Sequence, residues 1–382
     1  MSHTLLAGLS PRDFLQRHWQ KRPLLARGAL PSAAGLLTRE DLFRLATRDD
    51  VQARLVTRFR QRWQVAHGPF TRRELGRLPA RNWTLLVQGV NHVLPQADAL
   101  LHKFSFLPYA RLDDVMVSYA PPGGGVGAHF DSYDVFLLQI HGTRRWRVST
   151  QGDLALIENA PLRLLRRFRA EREWRLAPGD MLYLPPRCAH DGVALDHCLT
   201  ASIGFRAPGA QELGARFLEF LADHLALDGI YSDPGLRPTP HPARIGDQLL
   251  MKSHRTLDRI QWSRQTVLEF LGCHLTEPKA HVFFSRPARP LDGDTFSRRI
   301  AVRGARLDPK TMMLHRGRRI FINGCHFMAT PAAAAILRRL ADRRHLAPAP
   351  RPDAEATRWL YQWYRAGYIE IGNRQPESGN PG

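Results

Sequence analysis

Cysteine is scarce in this chain: Cys188, Cys198, Cys273 and Cys325 are the only four in 382 residues. No two of them form a CxxC pair, which excludes zinc ribbons and fingers, and such scattered thiols suit a reduced, cytosolic protein better than a disulfide framework. Cys273-His274 and Cys325-His326 are adjacent pairs, but side chains at i and i+1 diverge and make poor chelates. Long apolar runs are absent too. None approaches the roughly 18 residues of a membrane helix, so no membrane partner is expected. The start, MSHTLLAGLSPRDF, has no basic segment followed by an apolar one, so no secretory signal is expected. Lysine is almost missing: five of the 55 basic residues are Lys and the rest Arg.

What is present is a globular composition, 43% apolar, with a formal net charge of +20. At about 150 residues per domain, the length suits two or three domains. An arginine-rich surface fits nucleic acid and other polyanions. A compositional bias toward Arg is the other origin, and the spread of the bases along the chain suits it equally.

Residues 1–105 mix short helical and strand patterns. RDFLQRHWQKRPLL reads as a helix ending at Pro23, TREDLFRLATRDD as a helix starting after Thr38, and NWTLLVQGVNHVL, from Asn82, as another. Residues 111–205 carry short β-rich runs separated by Pro and Gly turns, the pattern of a sandwich or barrel. Residues 209–275 turn helical, with Leu213, Phe217, Phe220, Leu221 and Leu225 on one stripe. That face packs on its own core or on a second subunit. From 276 onward, a hairpin around Arg316-Gly317-Arg318, a helix opened by Thr330-Pro331, a helix from Ala354 to Ala366 and a last strand suggest a winged helix. This fold binds DNA, RNA or protein and so does not decide a partner.

The chemistry gathers after the glycine loop PPGGGVGAHFD. No Gly-Lys-Ser/Thr follows it and a strand succeeds it, which excludes both nucleotide-binding fingerprints. Its glycines bring backbone close to a site. His129 and Asp131 lie two apart, on one face if the segment is a strand. His190, after PGDMLYLPPRCA, supplies a second imidazole. Two histidines and one carboxylate form the facial set that leaves open positions on iron(II). HxD alone is common by chance, and an isolated His is usually a hydrogen-bonded surface or core residue. Arg144 adds a cation able to fork the far carboxylate of a dicarboxylate co-substrate, or else it is a solvated strand-end Arg beside Arg145 and Arg147.

The runs WQVAHGPF (63–70), NWTLLVQGVNH (82–92), PPGGGVGAHFDSYDVFLLQ (121–139) and PGDMLYLPPRCAHDG (178–192) resemble those of the JmjC ribosomal oxygenases. RDFLQRHWQKRPLL, SIGFRAP and YSDP extend the likeness over most of the first 240 residues. The resemblance implies an α+β fold. A JmjC/cupin double-stranded β-helix (jelly roll) with its N-terminal extension would occupy 1–208, a helical dimerisation region 209–275, and a winged-helix-like unit 276–382. It implies a cytoplasmic, homodimeric dioxygenase using Fe(II), 2-oxoglutarate and O2. The activity implied is hydroxylation of an arginine side chain of large-subunit ribosomal protein sixteen. His129, Asp131 and His190 would be the catalytic iron ligands. Arg144 and Ser118 would hold the 2-oxoglutarate tail, and Asp114, Met116, Tyr133 and Ser202 would take the target side chain. Tyr133 as a core aromatic, Ser202 as strand filler and Asp114 as a turn acid are the plainer assignments. Ala128 stands where the family suggests proline. Cys188, two residues before His190, would make the site easier to oxidise. Other readings keep the chemistry with another target, as a histidyl hydroxylase or demethylase, or make the chain a non-catalytic winged-helix regulator with a metabolite-sensing cupin.

Overall fold

In the computed structural model, residues 5–60, 62–349 and 353–372 are described. The first two hundred residues form α1 (Pro11–Arg17), α2 (Arg39–Ala46), α3 (Arg72–Gly76) and α4 (Pro95–His102) around two antiparallel sheets. Their strands are β1 (Leu24–Ala26), β2 (Ala53–Phe59), β3 (Arg62–His67), β4 (Trp83–Val87), β5 (Leu112–Ala120), β6 (Val135–His141), β7 (Arg144–Ser149), β8 (Arg172–Leu176), β9 (Met181–Leu184), β10 (Ala189–Ala194) and β11 (Cys198–Phe205). The large sheet runs β1-β9-β6-β11-β5-β4-β2-β3 and the small one β10-β7-β8.

Strand alternation decides what each sheet face meets. Phe136, Leu138, Tyr183, Ile203 and Phe205 point outward, under the helices, into a core that includes Phe14 and Phe104. Ring centroids there lie as close as 4.7 Å, between Phe104 and Phe136. Each such ring contributes about 1.5–3 kcal/mol by burial. The intervening Val135, Leu137, Leu182 and Leu184 point inward and meet Trp146 and Val148 of the small sheet. On β5, Val115, Val117 and Tyr119 take the outer core. The same alternation therefore turns Asp114, Met116 and Ser118 inward, where they line a cavity between the sheets.

Two N-terminal expectations change. NWTLLVQGVNH is strand β4 followed by a 3-10 turn at Val90–His92. All five residues of β4 are buried, between β2 and β5, and a run apolar on both faces mimics helical spacing. Helix α1 stops at Arg17, and Gln20 takes a left-handed φ of 56° before β1 joins β9. Helix α2 follows the expectation, with Thr38 and Asp41 forming a reciprocal capping box.

Beyond β11 come α5 (Ala210–His224), α6 (Asp247–Leu257) and α7 (Arg264–Thr276). The last unit contains α8 (Gly293–Arg303), β12 (Ala305–Leu307), β13 (Met313–Arg316), β14 (Arg319–Ile322), β15 (Cys325–Met328), α9 (Pro331–Arg343), β16 (His345–Leu346), α10 (Ala354–Ala366) and β17 (Ile369–Ile371). The hairpin at Arg316-Gly317-Arg318 and both helices sit where the sequence put them. The unit touches the first through Tyr109, whose hydroxyl donates to the Asp342 carbonyl at 3.0 Å, and α7 is held to the first through Arg206, which donates to the Leu275 carbonyl at 2.7 Å. Among the described residues, no helix is long and apolar enough to cross a membrane.

Candidate active site

His129 and Asp131 do not lie on a regular strand, as the i, i+2 argument assumed. They sit on the loop between the glycine turn and β6, where His129 makes one isolated bridge to His190. That bridge is reciprocal: His129 N–H donates to the His190 carbonyl at 2.9 Å and His190 N–H donates back at 2.8 Å. The loop comes this close to β10 because Gly124 and Gly125 have no side chain. A Cβ on Gly124 would lie 2.2 Å from the Trp83 carbonyl, and one on Gly125 would lie 2.6 Å from that of Gly192. The glycines thus serve backbone approach, as the sequence suggested. His190 itself lies on β10, a strand the turn signals did not mark.

Ligand atoms of His129, Asp131 and His190 all fall within 4.8 Å of one another. His190 Nε2 stands 3.7 Å from Asp131 Oδ2. Each imidazole is oriented by backbone: Nδ1 of His129 faces the Gly127 carbonyl and Nδ1 of His190 the Cys188 carbonyl, both at 2.9 Å. A carbonyl only accepts, so both Nδ1 atoms carry the proton and both Nε2 lone pairs remain free for a metal. Burial, with a second imidazole beside it that disfavours a further positive charge, pushes the His190 pKa down to about 4, which keeps that ring neutral. The Arg187 N–H donates to the Asp131 carbonyl at 2.7 Å and anchors the carboxylate's backbone.

Arg144, on β7, is 5% exposed and reaches the same cavity. Its Nη1 lies 3.4 Å from Ser118 Oγ, which itself donates to the Thr200 carbonyl at 3.5 Å. Its Nε and Nη2 are buried without a partner. A buried guanidinium with two orphaned nitrogens is costly unless an anion comes to it. This fits the tail of a dicarboxylate such as 2-oxoglutarate. The histidine and carboxylate donors fit a divalent first-row metal.

The cavity has a volume of about 450 Å³. All the sequence-derived candidates line it: Asp114, Met116, Ser118, His129, Asp131, Tyr133, Arg144, His190 and Ser202. Met116 and Ser202 face each other across the β5–β11 register. Asp114 is 8% exposed, and its Oδ2 accepts from the Gly89 N–H at 3.0 Å. It has no ion-pair partner among the described residues. Burial, and then Asp113, push its carboxyl above the usual range. Asp113, by contrast, is paired with Lys279 at 2.9 Å and Arg206 at 3.4 Å. Cys188 departs from expectation. Its thiol is buried, donates to the Ser149 carbonyl at 3.6 Å, and is pushed up to about 12 by burial, so it stays a neutral, poorly reactive thiol.

Sequence reasoning passed over Arg54, Gln88, Trp146 and Arg163, which also line the cavity. Arg54 and Gln88 enter from the far edge of the large sheet, and no local spacing signals that. Trp146 follows Arg144 at i+2 on β7, so alternation alone could have found it.

Comparison with known proteins gives the same picture. The JmjC domain family matches residues 99–213 and the ROXA-like winged helix family residues 252–370. The chain is 36% identical over 285 residues to the ribosomal protein uL16 3-hydroxylase of Escherichia coli, covering 74% of this chain and 75% of that one. Human ribosomal oxygenase 1 is 28% identical over 210 residues, half of this chain and 32% of its own. The solved structure of the Escherichia coli ribosomal oxygenase YcfD in complex with cobalt and 2-oxoglutarate superposes with a TM-score of 0.80. It shares 32% identity and covers 95% of this chain and 98% of that one.

Proposed function

The chain belongs to the JmjC ribosomal oxygenases, and from that premise we propose that it hydroxylates an arginine side chain of large-subunit ribosomal protein uL16, using Fe(II), 2-oxoglutarate and O2. One observation carries the reading: a free His–Asp–His donor set and a buried, half-satisfied arginine share a cavity whose other acid, Asp114, has no cation. When bound, the iron would activate O2 as the oxidant, one oxygen atom ending in the target C–OH and the other in succinate as 2-oxoglutarate loses carbon dioxide.

The protein's own part is placement. His129, Asp131 and His190 would hold the metal, with the histidine tautomers set by the Gly127 and Cys188 carbonyls. Arg144 would fork the distal carboxylate of 2-oxoglutarate, with Ser118 beside it. Asp114 would receive the target guanidinium, while Met116, Tyr133 and Ser202 wall its stem. The Met116 side chain and the Tyr133 ring would pack along that stem while Asp114 orients its charged end. Mass spectrometry of large-subunit ribosomal proteins, incubated with the chain, Fe(II), 2-oxoglutarate and air, tests this. One added oxygen on a single uL16 arginine, absent with Asp131→Ala, is the expected result. No modification and no succinate would overturn it.

For the rest of the chain we propose an oxygenase unit to residue 208, a helical dimerisation region over 209–275 and a winged-helix unit from 276. Their outer ends, 1–4 and 373–382, lie outside the described residues. Helices α5 and α6 leave Leu218, Leu249, Leu250 and Met251 exposed, while Phe217 and Phe220 pack on Phe270 of α7. Such an uncovered apolar face supports a homodimer, which light scattering would read directly. Acting on a ribosomal protein, the enzyme would work in the cytoplasm.

A further inference from the structure

A net charge of +20 is awkward for an enzyme whose target is a cation, and part of that charge stands beside the cavity the target must enter. The segment joining β7 to β8 lies over the glycine loop. Leu165 N–H donates to the Ala128 carbonyl at 2.8 Å, next to His129, and Leu164 packs so tightly on Gly127 that a Cβ there would meet it at 2.5 Å. Leu162 and Arg163 from this segment line the cavity, with the Arg163 guanidinium 5.5 Å from the Phe130 ring centroid. Just beyond stand Arg166, Arg167 and Arg169, all exposed, whereas Arg172 and Arg175 lie on β8 and turn to its opposite faces. The first three are displayed on ordered backbone. Gln151 Nε2 donates to the Arg167 carbonyl at 2.9 Å, and the Arg169 N–H donates to Gln151 Oε1 at 3.0 Å.

Their place beside the cavity, rather than the lack of an acid, sets these arginines apart from others on the surface. Arg27, Arg44 and Arg48 each hold an aspartate at 2.6 Å. Arg166, Arg167 and Arg169 have no acid within ion-pair distance among the described residues. Glu171, the nearest acid in sequence, is turned to Ser149 and Thr150 at 2.9 and 2.8 Å. A rim of uncompensated guanidinium groups therefore borders a cavity floored by Asp114. Alone, that rim repels a cationic target over a Debye length of about 8 Å. Covered by phosphates it does not, and the guanidinium fork matches phosphate geometry. Phe168 lies under the Arg147 guanidinium, 5.7 Å from its ring centroid, and Trp174 packs on the small-sheet core, so the guanidinium groups alone carry the recognition. A ribosomal target brings RNA phosphates with it, which an acidic protein partner does not explain.

We infer that the arginine rim over residues 163–169 docks RNA phosphates that accompany the target, so that the physiological substrate is a ribonucleoprotein rather than the free polypeptide. The substrate half of this inference rests on the proposed hydroxylase function; the docking half does not.

Fluorescence anisotropy of the full-length chain with a labelled ribosomal RNA hairpin, titrated over a range of salt, tests the docking. Replacing Arg166, Arg167 and Arg169 with Ala is expected to weaken binding roughly tenfold or more at low salt and to lower the log–log salt slope by about 2 to 3. A matched triple substitution on α8, Arg298, Arg299 and Arg303 to Ala, removes the same charge from the winged-helix unit and is expected to move neither quantity appreciably. Equal losses in the two variants, no binding by the wild type, or displacement by polyglutamate as readily as by RNA would each overturn the assignment. The last outcome would point to an acidic protein instead. For the substrate half, uL16 bound to its ribosomal RNA should be hydroxylated faster than free uL16 at low salt, and equal rates would overturn it. No turnover on either form would sink the hydroxylase reading, while the anisotropy result would still decide the docking.

Discussion

The two ends of the central cavity are built differently. At the metal end, both imidazoles are fixed by backbone carbonyls at 2.9 Å, and the segments that carry them are locked by a reciprocal bridge. At the other end, Asp114 is buried with a single N–H partner, and in the same cavity Arg144 keeps two nitrogens unpaired. At one end the orientation of both imidazoles is set within the fold, and the charged groups are left to be satisfied by ligands. Neutral imidazoles can be held in place before the metal arrives, because neutral groups bury cheaply. Charged recognition groups can be complete only with their partners in place, and the fold tolerates their cost because removing them would remove selectivity.

The largest effect should come from the metal end. Asp131→Ala leaves two neutral imidazoles and is expected to lower hydroxylation by more than about a thousandfold, measured as oxygen addition to target. Its thermal midpoint should change little, since Asp131 contributes no core packing. Retained turnover would mean that the donor set is not the metal site. Next is Arg144→Met. The KM for 2-oxoglutarate should rise by about two orders of magnitude, because a forked carboxylate contact in a buried site is lost. The ligand-free protein should be as stable as wild type or more so, because two orphaned N–H groups disappear. A clear fall in melting temperature without any change in KM would make Arg144 a structural residue and erase the contrast.

Asp114→Asn probes the far end. The KM for the target should rise roughly 30- to 100-fold, or about 2–3 kcal/mol, with the 2-oxoglutarate KM little changed. The folded pKa of Asp114 is raised by burial and by Asp113, so ionising it opposes folding. Wild-type stability from this group is present below the unfolded pKa and lost as pH rises through the folded value. The Asn variant should therefore be the more stable protein at neutral pH, and its advantage should vanish toward acid. Melting curves against pH check the sign.

How much of this was legible in the sequence follows the same division. His129, Asp131, His190 and Arg144 were found by local spacing and turn signals, because one loop and two adjacent strands carry them. The inward face of β5 was legible through alternation, which put Asp114, Met116 and Ser118 on one side. The partners that give these residues their character were not legible. Gly89 reaches Asp114 from 25 positions away, Lys279 reaches Asp113 from the C-terminal part of the chain, and Arg54 arrives from another edge of the sheet. The helix expected at Asn82 failed because β4 is covered on both faces, and the strand expected at His129 failed because the glycine loop needs only one bridge to be held. Where pairing is sequence-local, pattern was enough; where it is tertiary, it was not.

The smallest effect should come from Lys279, and it tests whether the target end depends on the C-terminal part of the chain. Lys279 and Arg206 hold Asp113, whose charge otherwise pushes the Asp114 carboxyl upward. The groups bearing on Asp114 are then Asp113 beside it on β5, Arg206 after β11, Lys279 after α7 and the Gly89 N–H. Lys279→Met removes one cation from this set. Asp113 would keep only the longer contact to Arg206, and the Asp114 pKa would rise further. Target recognition needs the ionised carboxylate, so activity at low target concentration should be lost at a higher pH than in the wild type. Both Lys279 and Asp113 are partly exposed, so solvent screening limits the displacement to less than about one pH unit. Lys279→Arg should restore the wild-type profile, and the KM for 2-oxoglutarate should respond to neither change. A pH profile of kcat/KM on the target reads the shift. An unmoved acid limb would mean that Asp113 is neutralised without Lys279, and that the target end, like the metal end, is complete within the first 208 residues.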